Sequence, residues 1–326
     1  MRRHFTYKYT LILGVLFLSV GIYAFSSNLK HQDTDETLSS PNITEIPVST
    51  LAPTQTPTEA NETFHIRGTS INLGDSEESV ISKLGAPSRI ADTEFDFDYY
   101  IYNNDYKRLL FIAIKEKSVV GFYSDSLDFS FNGIQSGATL AMVHSAFGND
   151  FPMSEVLTHT TSIYTVNILM DQLDTQKVTG IYVLLNTVAL DEYTESVMRN
   201  IELIIFDLTN SARARNREAV LSWSSSAAIA ARKHSIDMSE NDFFNHINPA
   251  GWKPGERMTA EGIYYQNFGE NIIAGYDNAI LSHHGWFNFT NQRNYLLGSN
   301  FRYLGVGFSY NAESKYKTYF TQNFYR

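Results

Sequence analysis

The sequence of 326 residues contains no cysteine. This absence excludes a disulfide framework, a thiolate metal site and a cysteine nucleophile. If the chain is exported, its folded parts must therefore be stabilised by their hydrophobic cores alone. The hydrophobic fraction of 43% is ordinary for a globular protein, and the length predicts about two domains once any targeting segment is set aside.

Basic residues are scarce relative to acidic ones. The chain has 25 lysines and arginines against 35 aspartates and glutamates, which gives a formal net charge of -10. Phosphate binding needs clustered lysine and arginine, so this balance argues against a general nucleic-acid binder. It leaves carbohydrate, lipid, peptide and cation partners open.

The one long apolar run lies at residues 11–25, after three basic residues and before acidic ones. As a helix it would rise about 22 Å, short of the roughly 30 Å hydrocarbon core of a bilayer. This length lies between those of a signal peptide and a spanning helix. We predict that residues 1–26 are a signal peptide or membrane anchor. The charge asymmetry places the rest outside the cytoplasm, on the outer side of the cell membrane or secreted.

A proline- and threonine-rich segment follows, including "PVSTLAPTQTPTEANET". Such a composition cannot bury a core, because it lacks the apolar residues that would offset the entropy of ordering. We predict a disordered linker over residues 27–63, which serves as a plain tether.

Two similar segments then recur in the chain. "INLGDSEESVISKLG" at residues 71–85 matches "IQSGATLAMVHSAFG" at residues 134–148, and alternating, strand-like sequence follows each. The pattern predicts, in each copy, a turn, a short helix ending at a glycine, and two or three antiparallel strands. Residues 64–190 are therefore expected to form a pseudo-repeated α+β module with a binding or spacing role.

The pattern changes to helical after residue 190. A long amphipathic segment ends in Arg213, Arg215 and Arg217, which we interpret as a solvated C-terminal turn. A serine-capped, alanine-rich helix follows. The segments "YLGVGFSY" and "KTYFTQNF" alternate and predict a closing β-hairpin.

One histidine and one glutamate stand out in this half. His246 lies in "FFNHINPAG", and Glu270 lies among small residues in "FGENIIAG". A buried glutamate needs a partner, and His246 is the obvious candidate. The pair would suit a divalent metal or a proton-transfer site. A histidine without such a partner would only be a structural polar residue at the end of a helix.

The order of these segments resembles the bacterial branch of the CAP superfamily, which includes cysteine-rich secretory proteins, antigen 5 and plant pathogenesis-related proteins. The resemblance covers roughly residues 195–326. The repeated module resembles the CAP-associated N-terminal domain of Bacillus-like Firmicutes. The motifs that carry the match are "SARARNREAVLSW", "FFNHINPAG", "FGENIIAG", Trp286, Arg293 before "NYLLG", and "FRYLGVGF".

This resemblance implies an α+β protein whose C-terminal domain, residues 191–326, is an α-β-α sandwich. It also implies a cleft with two histidines and two acidic residues that can bind zinc. His246 takes the place of the first histidine and Glu270 that of one acid. The second histidine place falls on Gln292 and the second acidic place near Phe289.

The departure at Gln292 bears on metal binding. A neutral amide binds transition metals poorly, and stable zinc sites use three or four protein ligands. We therefore expect a weakly bound divalent cation such as zinc at most, on His246 and Glu270, and tighter binding in Gln292→His. His283 and His284 are conceivable substitutes, but we interpret them as surface imidazoles, and His234 as an interface residue.

Three functions remain open. The first is a non-catalytic binding module at the cell envelope, whose cleft of His246, Glu270, Asn271 and Gln292 holds a small ligand, lipid, glycan or peptide. The second is a hydrolase of peptides or cell-wall polymers that uses His246 and Glu270. The third is a rigid structural head on a stalk. No catalytic residue beyond these is indicated, since motifs such as G-x-S-x-G are missing from the sequence.

Overall fold

The computed structural model describes residues 63–148 and 150–326. The predicted leader at residues 1–26 and nearly all of the linker at residues 27–63 lie outside these ranges. Within them, no helix has both the length and the apolar character needed to span a bilayer.

The repeated module contains two short helices bounded by glycines. α1 (Glu77–Leu84) ends at Gly85 and α2 (Leu140–Phe147) ends at Gly148. In both cases, the side-chain oxygen of the preceding residue caps the first turn. Both glycines have positive φ angles, 81° and 65°, which residues with a Cβ adopt at a cost. The repeated glycines are therefore helix-ending residues.

Eleven strands complete this module in two sheets. A seven-stranded antiparallel sheet has the order β3-β4-β5-β6-β11-β10-β9, and β6 and β11 join the two repeats at its centre. A smaller sheet has the order β2-β1-β7-β8. The strands are β1 (Thr63–Ile66), β2 (Thr69–Asn72), β3 (Arg89–Asp92), β4 (Asp98–Tyr102), β5 (Leu110–Lys115), β6 (Ser118–Ser124), β7 (Ser130–Phe131), β8 (Ile134–Gln135), β9 (Val156–Thr160), β10 (Tyr164–Met170) and β11 (Val178–Leu185).

The C-terminal half is built around a four-stranded sheet of order β12-β14-β15-β13. β14 and β15 pair antiparallel along their whole length, as the alternating segments predict. The elements are α3 (Glu195–Arg215), β12 (Ser222–Trp223), α4 (Ser225–Glu240), α5 (Pro254–Ala260), β13 (Phe268–Ala274), α6 (Ala279–Phe287), α7 (Thr290–Leu296), β14 (Tyr303–Tyr310) and β15 (Thr318–Tyr325).

Helices cover both faces of this sheet. On one face, Gly305 and Gly307 let α4 approach closely, because a Cβ at either position would collide with the α4 backbone. On the other face, Gln322 of β15 donates from Nε2 to Thr209 Oγ1 of α3 at 2.8 Å. The predicted α+β class with a C-terminal α-β-α sandwich is confirmed.

The two halves share one hydrophobic core across α3. Buried residues of the seven-stranded sheet pack in the same cluster as residues of α3, α6 and the C-terminal sheet. The shared cluster includes Phe111, Tyr182, Ile201, Leu208, Trp286 and Phe320. Because α3 lies between the two sheets, its apolar residues are buried from both sides.

Polar contacts reinforce this junction. Asp207 of α3 is buried and accepts from Arg89 at 2.5 Å, Asn103 at 2.8 Å and Tyr106 at 3.1 Å. All three partners belong to the repeated module. A buried carboxylate with three donors fixes the module against the sandwich.

The interpretation of the arginine cluster as a solvated turn was wrong for two of its three members. Arg213 is fully buried and donates to the carbonyl oxygens of Ala219 and Leu296 at 2.7 and 2.8 Å. Arg215 forms an ion pair with Asp125 of the module at 2.8 Å. Arg217 is exposed. Arg213 is enclosed by C-terminal segments that follow α3, and Arg215 is enclosed by the repeated module. The helical pattern alone indicates neither contact.

Candidate functional site

His246 and Glu270 are in direct contact although 24 positions separate them. Glu270 lies on β13, with a side chain only 2% exposed, and His246 lies in the loop between α4 and α5 with a side chain 48% exposed. The distance from His246 Nδ1 to Glu270 Oε1 is 2.8 Å. The pair therefore joins a buried carboxylate to an imidazole that is half open to solvent.

Arg257 of α5 is the third member of this group, and the sequence analysis did not identify it. Its Nη2 lies 2.6 Å from Glu270 Oε2, and its side chain is 8% exposed. Its Nη1 donates to the carbonyl oxygens of His246 and Trp252, both at 2.9 Å. One guanidinium thus compensates the buried charge and fixes the loop that carries His246. The sequence feature that could have pointed to Arg257 is the buried Glu270, because a buried carboxylate needs a cation nearby.

Asn323 completes the surroundings of the carboxylate. It lies directly opposite Glu270 in the pairing of β13 with β15. In the amide orientation that satisfies both of its neighbours, it donates to Glu270 Oε2 at 3.1 Å and accepts from Ala231 N at 3.2 Å. Both oxygens of Glu270 are therefore engaged by side chains of this chain.

These contacts determine how His246 is presented. A carboxylate only accepts hydrogen bonds, so the proton in the contact belongs to His246 Nδ1. In the neutral ring, Nε2 then carries the lone pair and is the nitrogen left for a ligand. Glu270 orients the His246 ring and does not offer a free oxygen of its own.

His234 of α4 lies behind this pair and is completely buried. Its Nε2 donates to the carbonyl oxygen of Asn245 at 3.0 Å and lies 4.0 Å from Glu270 Oε1. Burial lowers the pKa of His234 to about 4, so the ring is neutral at ordinary pH. The residue holds the loop next to His246, at the helix interface where the sequence places it.

Asn271 and Gln292 lie on the other side of the sheet from the His246–Glu270 pair. Successive residues of a strand point to opposite faces, so Asn271 faces away from its neighbour Glu270. Its Nδ2 donates to the backbone carbonyl of Gln292 at 3.1 Å and to Gln322 Oε1 at 3.2 Å. The structure therefore divides the four residues of the predicted cleft into two pairs.

His283 and His284 are not surface imidazoles, and that interpretation was wrong. Each residue is only 5% exposed, because the repeated module covers α6. His284 Nε2 contacts the carbonyl oxygen of Glu155, a module residue, at 2.9 Å. Burial lowers the pKa of His283 to about 3 and that of His284 to about 4. Phe289, at the second acidic place of the family pattern, is 49% exposed and offers no metal-binding atom.

The donor set does not fit the zinc that the family resemblance implies. In the part of the chain that the structure describes, no group of three or more histidine, cysteine, aspartate or glutamate side chains is arranged to hold a metal. Glu270 is engaged by Arg257, and Gln292 reaches Asn271 only through its backbone carbonyl. His246 Nε2 is then the one remaining ligand atom among these residues, and a single imidazole binds zinc weakly.

We expect the purified protein to carry far less than one zinc per chain by elemental analysis. A single imidazole nitrogen beside a compensated carboxylate lacks the ligands and the charge that zinc requires. Gln292→His should not raise the zinc content, contrary to the expectation from the family pattern, because position 292 lies on the other side of the sheet from His246. Near-stoichiometric zinc in the wild-type protein would contradict this assignment.

Comparison with known proteins identifies both halves of the chain. A family model described as the cysteine-rich secretory protein family (CAP) matches residues 206–324. A second model, the CAP-associated N-terminal domain, matches residues 73–199. The boundary between the matches falls within α3, the helix that both cores share.

Relatives and solved structures agree with this assignment. The chain is 26% identical over 289 residues to the uncharacterized membrane protein YlbC of Bacillus subtilis, covering 77% of this chain and 82% of YlbC. It is 31% identical over 104 residues to YkwD of the same organism, covering 32% of this chain and 40% of YkwD.

Among solved structures, an extracellular protein containing an SCP domain from Bacillus anthracis superposes with a TM-score of 0.65 at 23% identity, covering 78% of this chain and 93% of that one. A cysteine-rich secretory protein from Staphylococcus aureus gives a TM-score of 0.60 at 14% identity, with the same coverage of both chains. These likenesses establish the shared fold. The chain thus contains a CAP domain, matched over residues 206–324, preceded by a CAP-associated N-terminal domain, matched over residues 73–199.

Proposed function

We propose that this protein is a non-catalytic binding module at the outer side of the cell envelope, and that His246 is its central contact residue. The supporting observation is the contrast in exposure between the paired side chains. Glu270 and Arg257 are buried and fix the geometry, whereas the His246 side chain is 48% exposed. A rigid, buried support beneath one open polar group is the arrangement expected of a ligand contact.

Aromatic side chains next to His246 support a binding role. Trp252 is 48% exposed. Its carbonyl oxygen and that of His246 accept from the same Arg257 nitrogen. Phe268 lies two residues before Glu270, on the same face of β13, and is 41% exposed. Its ring packs 4.7 Å from that of Tyr265. Exposed rings beside a hydrogen-bonding group suit a small ligand, glycan, lipid or peptide.

The proposed location rests on the sequence and on the relatives. YlbC is named a membrane protein, and the Bacillus anthracis neighbour is described as extracellular. The basic residues and apolar run at the N-terminus agree with export. We propose that the N-terminal segment contacts the membrane, as an anchor or as a signal peptide before secretion.

A hydrolase of peptides or cell-wall polymers is the second candidate. One observation favours it: Glu270 orients His246 through Nδ1, as the carboxylate of a catalytic base does. Such an enzyme would lose turnover in both His246→Ala and Glu270→Gln. Turnover of wall fragments by the wild-type protein would support this candidate over the binding module.

A binding screen with matched variants tests the proposal. Wild-type protein, His246→Ala and the control His65→Ala would be compared on cell-wall glycan fragments, phospholipid vesicles and peptides. His65 is also exposed and also hydrogen-bonded, to Ser70 at 2.8 Å, but lies on β1 in the other domain. We expect His246→Ala to weaken binding at least about tenfold, the effect of losing about 1.4 kcal/mol, with an unchanged unfolding midpoint.

Unaltered binding by His246→Ala would contradict the proposal. Unfolding of His246→Ala, with no ligand found for the wild type, would favour the structural head instead. In that case, His246 would only fix its loop, through the hydrogen bond to the buried Glu270.

A further inference from the structure

A small internal cavity lies between the two domains, away from His246. Its volume is about 10 Å³, and it lies where the seven-stranded sheet meets α3 and α6. Asp125 and Thr179 line it from the CAP-associated domain, and Arg215 and His283 line it from the CAP domain. Both domains therefore contribute polar side chains to the lining of this cavity.

Three polar atoms around this cavity make no aligned hydrogen bond within the protein. They are Asp125 Oδ2, Arg215 Nε and His283 Nε2. The Asp125 side chain is 4% exposed and His283 is 5% exposed, so bulk water does not satisfy them. Asp125 Oδ1 is already bonded to Ser211 at 2.7 Å, and Oδ2 lies 2.8 Å from Arg215 Nη2 without hydrogen-bond alignment.

Buried polar atoms in native proteins are almost always paired, because each one left unpaired costs about 1–3 kcal/mol. Three such atoms around one cavity point to a shared partner. We propose that this cavity binds a single water molecule, which accepts from Arg215 Nε and donates to Asp125 Oδ2 and His283 Nε2. Three hydrogen bonds are the usual number for a buried water.

Size and charge select water over an ion. About 10 Å³ is roughly the room that one water centre needs. The positive charge of Arg215 and the negative charge of Asp125 balance, and His283 is neutral because burial lowers its pKa to about 3, next to His284 and Arg215. A cation would lie against the guanidinium, and an anion against the carboxylate. A neutral molecule that both donates and accepts fits all three atoms.

This water would connect three elements that are distant in sequence. Asp125 directly follows β6, Arg215 ends α3 and His283 lies on α6. The water therefore joins the CAP-associated domain to two helices of the CAP domain. It holds the two domains in one fixed arrangement, in addition to the direct contacts of Asp207.

A high-resolution crystal structure of the purified protein tests this inference. We expect one well-occupied density peak within hydrogen-bond distance of Asp125 Oδ2, Arg215 Nε and His283 Nε2. A site without density would overturn the proposal. Density with ligand distances of about 2.0–2.4 Å would also overturn it, because such distances indicate a metal ion.

A solution measurement provides a second readout. Magnetic relaxation dispersion counts long-lived internal waters, and His283→Phe should remove one of them by filling the cavity and deleting an acceptor. The control His65→Ala should leave the count unchanged. An unchanged count in a folded His283→Phe protein would contradict the proposal, and if that variant does not fold, the crystallographic peak decides.

Discussion

Replacing Arg257 with leucine should destabilise the protein by about 3–5 kcal/mol, the cost of leaving a buried charge without its partner. The Glu270 side chain is 2% exposed, and Arg257 Nη2 lies 2.6 Å from its carboxylate. The same substitution removes the donor shared by the carbonyl oxygens of His246 and Trp252. Urea unfolding, followed by tryptophan fluorescence, measures the change.

The exposed ion pair of Arg108 with Asp128 provides the matched control. Its side chains are 44% and 41% exposed, so Arg108→Leu should cost less than about 1 kcal/mol. The double variant Arg257→Leu/Glu270→Leu should recover part of the loss, because it removes the uncompensated carboxylate. An Arg257→Leu protein as stable as Arg108→Leu would show that Glu270 does not depend on this guanidinium.

Each buried histidine should make the protein less stable as the pH falls from about 6.5 to 4. Burial lowers the pKa values of His234, His283 and His284 to about 4, 3 and 4, against 6.5 for an ordinary histidine. The unfolded chain therefore binds protons first as the pH falls. Their contribution to stability is present above pH 6.5 and is lost as the pH falls toward the folded pKa values.

Each such histidine adds a slope of about 1.4 kcal/mol per pH unit to the free energy of unfolding. Buried carboxyls act in the opposite direction, because burial raises their pKa in the folded state: to about 7 for Glu94, to about 8 for Glu202, and upward for Glu155, Asp125 and Asp207. The histidine contribution is therefore isolated by difference, in a variant that removes one of these rings. Between pH 6.5 and pH 4.5, the free energy of unfolding of His283→Phe, measured in urea, should fall by about 1.4 kcal/mol less per pH unit than that of the wild type, whereas His65→Ala should follow the wild-type profile. Equal slopes for His283→Phe and the wild type would contradict the burial of this ring.

Local patterns in the sequence predicted the elements of the fold well. The paired glycines mark the ends of α1 and α2, because a helix that ends in a left-handed conformation favours glycine. The alternating segments "YLGVGFSY" and "KTYFTQNF" correspond to β14 and β15, although helices cover both faces of these strands and nearly all of their residues are buried. These signals are local, and they need no knowledge of distant packing.

The surroundings of the site could not be predicted in the same way. The pairing of His246 with Glu270 follows from the rule that a buried carboxylate needs a partner, but the rule does not say which cation supplies the charge. Arg257 lies on a seven-residue helix and reaches Glu270 only through the fold. Asn271, next to Glu270 in sequence, turns to the opposite face because the residue lies on a strand.

The burial of the two α6 histidines and the burial of Arg215 on α3 have a common cause. Their helices carry polar residues that suggest solvent, but the CAP-associated domain covers them. His284 contacts Glu155, and Arg215 contacts Asp125, across more than 80 positions of sequence in each case. Only the docking of one domain on the other determines that these side chains are inside.

The tautomer of His246 tests the central claim most directly. Long-range 1H–15N correlation spectra of the purified protein, recorded with the ring neutral, report which ring nitrogen carries the proton. We expect the proton on Nδ1, held by Glu270, with Nε2 unprotonated and accessible to a ligand. A ring protonated on Nε2, with the same tautomer in Glu270→Gln as in the wild type, would show that the carboxylate does not orient this histidine. That result would remove the basis for a binding site there.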